Sequence, residues 1–75
     1  MADPSLREAY VELLLERVRN ERFPNPDHLD RIEAVVRSPD QLREYVEVLY
    51  SRASALTHPS GDILDRIERV LQATG

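Results

Sequence analysis

Seventy-five residues, 41% of them hydrophobic, allow one domain with a modest core, near the lower size at which a single core suffices. Cysteine is absent, which excludes a disulfide framework and a thiolate metal site, and the net charge of −4 opposes a phosphate-binding surface. No apolar run exceeds four residues, so neither a signal peptide nor a membrane span is expected, and the expected compartment is the cytoplasm.

Asp3-Pro4 reads as a helix start, with Asp as N-cap and Pro at the first helical position. Leu6, Tyr10, Leu14 and Val18 recur at helical spacing with Val11 and Leu15 beside them, and the helix is expected to run to about Arg22, ahead of Phe23-Pro24. Asn25-Pro26-Asp27 repeats the start signal, and the stripe of Leu29, Ile32, Val35 and Val36 predicts a short helix to about Arg37. Ser38-Pro39-Asp40-Gln41 is a third start, with Gln41 at the capping-box position and about one residue separating it from the helix before. Leu42, Tyr45, Val46, Leu49, Tyr50, Ala53 and Leu56 carry this third helix until Thr57-His58-Pro59 breaks it. Ser60-Gly61-Asp62 caps a fourth built on Ile63, Leu64, Ile67, Val70 and Leu71, which Gly75 ends. No segment alternates with period two, so the chain reads as all-α in a long–short–long–short order.

Residues 3–37 and 38–75 correspond at an offset of 35. Asp27-His28-Leu29-Asp30-Arg31-Ile32-Glu33 returns as Asp62-Ile63-Leu64-Asp65-Arg66-Ile67-Glu68, and Tyr10, Leu14, Arg17 and Pro24 match Tyr45, Leu49, Arg52 and Pro59. The pattern is that of a tandem duplication of one helical hairpin. The period is close to that of tetratricopeptide arrays, but their Trp and Leu-Gly signature is missing and two units are few for a solenoid. The expected architecture is one domain over residues 1–75, a compact four-helix bundle with two hairpins packed face to face about a pseudo-twofold axis.

The repeated polar residues are expected to form the rim between the hairpins. Arg17 and Arg52 follow Tyr10 and Tyr45 by seven residues at the margin of the apolar arc, where their heads would pair with Asp30 and Asp65 or Glu33 and Glu68. The acidic triplets Asp27, Asp30, Glu33 and Asp62, Asp65, Glu68 offset the positive helix start rather than ligate a cation, since neither follows the alternate-residue pattern of a calcium loop. No metal, cofactor or catalytic residue is expected. Two histidines at unmatched positions and serines at helix caps provide no nucleophile–base pair. Nor does an Asp-Ser-Leu carrier motif occur: Ser38 precedes Pro, and Ser60 precedes Gly.

The copies differ on the outer side of the first helix, where Leu6, Ala9 and Leu13 form a second apolar stripe, extended by Val48 from the third helix. Such a strip suits another helix, from a different protein or a second copy. The expected function is therefore a small non-catalytic interaction module or adaptor, with partner contacts at Leu6, Ala9, Leu13 and Val48. The alternative is a helical regulator contacting nucleic acid through Arg31, Arg37, Arg43 and Arg66.

Overall fold

The computed structural model describes residues 4–56 and 58–74. It contains four helices, α1 (Pro4–Asn20), α2 (Pro26–Val35), α3 (Pro39–Ala55) and α4 (Gly61–Thr74), and no strand among the described residues. The expected Asp3 cap and the helix-breaking Thr57 lie outside that range, as does Gly75. Helices α1 and α3 are each 17 residues long, and both the long pair and the short pair begin 35 residues apart.

The helix ends follow from local chemistry. The α1 helix stops two residues short of Arg22 because Asn20 turns its side-chain amide onto the Glu16 carbonyl (2.9 Å), while the Glu21 N–H closes onto Val18 (3.2 Å). Asn25 caps α2 by accepting from the Asp27 N–H at 2.9 Å, and Ser60 caps α4 by accepting from the Ile63 N–H at 3.2 Å. Val36 leaves the helix in an extended conformation, so α2 ends before Arg37 and three residues, not one, join it to α3. The capping box at Ser38 forms by half. Ser38 Oγ accepts from the Gln41 N–H, but the Gln41 amide points away, donating to the Glu8 carbonyl at 2.8 Å and to a Glu12 carboxylate oxygen at 3.1 Å. A residue placed to cap its own helix instead ties α3 to α1.

The core comprises Val11, Leu14, Leu15 and Val18 of α1, Leu29 and Ile32 of α2, Tyr45, Val48 and Leu49 of α3, and Ile63 and Val70 of α4. Each short helix returns alongside its long one; Arg7, near the start of α1, donates to the Val35 carbonyl at the end of α2 (3.0 Å). The two hairpins then stack in the same direction. Gln41 at the start of α3 lies beside Glu8 and Glu12, and Arg52 near its end donates to the carbonyl of Arg19 near the end of α1. Long helices thus run parallel, α3 packing on α1.

This corrects the face-to-face twofold arrangement. A twofold would require Arg31 to meet Glu68 wherever Arg66 meets Glu33; Arg66 does bind Glu33 at 2.6 Å, whereas Arg31 is exposed and binds Asp27 of its own helix at 2.9 Å. One hairpin is displaced relative to the other along a stack, and the radius of gyration of 12.2 Å stays close to the ~11 Å of a compact chain this long. No described helix is long and apolar enough to cross a membrane.

Candidate interaction site

The polar joint between the hairpins is centred on Arg66. It lies between Ile63 and Val70 on the inward stripe of α4, and its side chain is 6% exposed. Its Nε donates to Asp62 (2.8 Å), Nη1 to Glu33 (2.6 Å), and Nη2 pairs with Asp30 (2.9 Å). Glu33 also accepts the Tyr45 hydroxyl and meets Arg69 at 3.5 Å. Burial disfavours the Arg66 charge, but hydrogen bonds to Asp62, Glu33 and Asp30 outweigh it and hold the guanidinium above its ordinary pKa. The geometry accounts for Asp30, Glu33 and Tyr45 at the joint between hairpins.

It gives the other rim residues different positions. Arg52 does not reach a short-helix carboxylate; it lies against the last turn of α1, where free carbonyls and the negative dipole end attract a cation, and donates to the Arg19 carbonyl. Arg17, Asp65 and Glu68 are exposed, and no ion pair engages them among the described residues. Tyr10 is partly exposed, beside Arg31. Sequence reasoning gave the pairing to arginines of the long helices and set Arg66 only at the rim, although the 63, 66, 70 spacing sets it on the buried arc of α4. It also missed Arg19, which joins Glu44 across the helices and lies 3.8 Å from Glu16 and 4.0 Å from Glu12.

Burial holds the Tyr45 phenol well above its usual pKa of 10.0, and the Glu33 carboxylate adds to the rise. Between pH 10 and 11 the unfolded chain loses this proton and the folded chain keeps it, so the folded state binds more protons. Stability should then fall by about 1.4 kcal/mol per pH unit above 10. Urea unfolding at several alkaline pH values should show this slope in the wild type and lose it in Tyr45→Phe; equal slopes would mean that the hydroxyl is not held.

On the opposite side of α1, Leu6 is 69% and Leu13 52% exposed, and Ala9 is exposed between them. Val48 does not extend this strip. It is buried, beneath the Arg19 and Arg52 side chains on the face where α3 meets α1, because parallel packing turns that side of α3 inward. No protein-family model, curated protein or solved structure matches the chain. The site is therefore read from its own chemistry. It offers apolar area flanked by arginine.

Proposed function

We propose that the protein is a small non-catalytic interaction module, built from a duplicated helical hairpin, that binds other protein surfaces through the outer face of α1. The observation that carries this reading is the exposure of Leu6 and Leu13 on one side of a helix whose other side is fully packed. Single exposed aliphatics are ordinary, whereas a line of them along a helix is contact area for another helix. Arg17 and Tyr10 border the strip and supply polar contacts at its rim.

The nucleic-acid reading loses support from Arg66, which three carboxylates surround and which cannot turn to a phosphate. Its three guanidinium nitrogens are taken by Asp62, Glu33 and Asp30.

Affinity capture with three immobilised proteins tests the module. Wild type and Phe23→Asp, which alters an exposed aromatic elsewhere, should retain the same bound proteins, and Leu13→Asp should lose them. Retention by Leu13→Asp at the wild-type level would reject this face as the binding surface.

A further inference from the structure

The joint inside the molecule is not self-complementary. Helices α3 and α4 present Tyr45, Val48, Arg52 and Arg66; α1 and α2 receive the polar groups with Asp30, Glu33 and the Arg19 carbonyl, and share a core of Leu15, Leu29 and Ile32 with the apolar ones. A contact made by two different surfaces leaves one of each unused at the ends of the stack.

The unused surfaces can be read thirty-five residues away in each direction. Tyr10, Leu13, Arg17 and Arg31 on the outside of α1–α2 stand at the positions of the four docking residues. On the outside of α3–α4, Tyr50, Leu64, Asp65 and Glu68 stand at the positions of Leu15, Leu29, Asp30 and Glu33. Leu15 and Leu29 are 0% and 1% exposed under the second hairpin, while Tyr50 and Leu64 are 66% and 40% exposed with nothing stacked on them. The large apolar side chains exposed among the described residues divide between these two faces: Leu6, Tyr10 and Leu13 on one, Tyr50, Leu64 and Leu71 on the other. Phe23 is the exception, and it lies apart with the Arg22 guanidinium 5.6 Å from its ring centre.

The polar groups are prearranged in the same way. Arg31 uses Nε on Asp27 (2.9 Å) as Arg66 uses Nε on Asp62 (2.8 Å), and each lies beside the tyrosine of its hairpin. Arg66 goes on to fill Asp30 and Glu33. Arg31 is exposed and has no carboxylate partner beyond Asp27 among the described residues, and Asp65 and Glu68 are exposed carboxylates of the matching spacing at the far end.

We propose that the chain assembles head to tail with further copies of itself. The outer face of α1–α2 of one molecule seats on the outer face of α3–α4 of the next, as α3–α4 seats on α1–α2 within each chain. This rests on the interaction-module reading and makes a second copy the occupant. In place of the polar Gln41 and Glu44 contacts of the internal joint, the copy brings Leu6 and Ala9, so the joint between molecules is drier. Arg31 of one copy bridges Asp65 and Glu68 of the next, and Tyr10 donates to that Glu68. Each addition regenerates both faces, so the assembly is open rather than a closed dimer.

Sedimentation velocity of the full chain, from micromolar to millimolar, tests this. Wild type should pass beyond dimer as concentration rises. Leu13→Asp and Tyr50→Asp, each spoiling one face at an exposed position, should both stay monomeric with unchanged helical circular dichroism. Their equimolar mixture should stop at a 1:1 dimer, since one intact face of each kind remains. As a second, milder pair, Arg31→Glu and Glu68→Arg should each weaken association by about tenfold or more, and mixing them should restore it in part. A dimer that never grows and is indifferent to Tyr50→Asp would overturn head-to-tail stacking while leaving the α1 face as the binding surface. A wild type monomeric at every concentration would also overturn it, and the capture experiment would then decide the module reading by itself.

Discussion

Glu33→Ala is expected to destabilise the fold by about 2–3 kcal/mol, because it strips three partners at once. Glu33 accepts from Tyr45, pairs with Arg66 and meets Arg69. Without it the Tyr45 hydroxyl loses its acceptor in the core. Arg66 keeps Asp62 and Asp30, but both are more than half exposed and so are screened by water. In a chain of this size, whose whole stability is about 4–11 kcal/mol, that loss should lower the melting temperature by about 10–20 °C. The converse substitution separates charge burial from packing. Arg66→Met removes the buried cation and keeps a long apolar stem, leaving Glu33 with Tyr45 and Arg69, so it should cost less than Glu33→Ala. The double variant Glu33→Ala/Arg66→Met should in turn be more stable than Glu33→Ala alone, since the buried guanidinium left with only water-screened partners is removed as well. Urea titrations followed by circular dichroism give all three values. Additive losses would mean that the two side chains do not act on each other.

Much of this joint was visible in the sequence as a set of residues, but its wiring was not. Helix starts were legible because Asn25-Pro26, Ser38-Pro39 and Ser60-Gly61 act through their own backbone neighbours. The apolar stripes were legible for the same local reason. How two hairpins sit on one another depends on side chains far apart in the chain, and equal residues at equal positions do not reveal it. A twofold and a translation both reuse the same Asp-x-Leu-Asp-Arg-Ile-Glu segment. They differ only in whether Arg31 and Arg66 do the same thing, and they do not: one is exposed on the outer face, the other buried among carboxylates. Gln41 shows the same limit on a smaller scale. Its position promised a cap, and the nearness of Glu8 and Glu12 drew its amide across to α1. Val48 was assigned to the outer strip because its own helix has a narrow apolar arc. The parallel neighbour widened that arc.

Leu15→Ala should be the most damaging simple truncation, at about 2–5 kcal/mol, and Leu13→Ala should stay within about 0.5 kcal/mol of wild type. The two leucines are two residues apart on α1. Leu15 is 0% exposed in a core that draws on all four helices, and cutting it back leaves a hole that the neighbouring Leu29 and Ile32 cannot fill without moving the hairpin joint. Leu13 is 52% exposed, so truncating it opens no enclosed hole and water takes the place of the lost methyl groups. Thermal melts of dilute protein should therefore show a large drop for one and almost none for the other. The contrast also separates folding from association: at high concentration Leu13→Ala should lose the rise in melting temperature that self-assembly gives to wild type, since binding that favours the folded state stabilises it by mass action. If Leu13→Ala costs as much as Leu15→Ala in dilute solution, Leu13 is part of the core, and the outer face of α1 is not available to a partner.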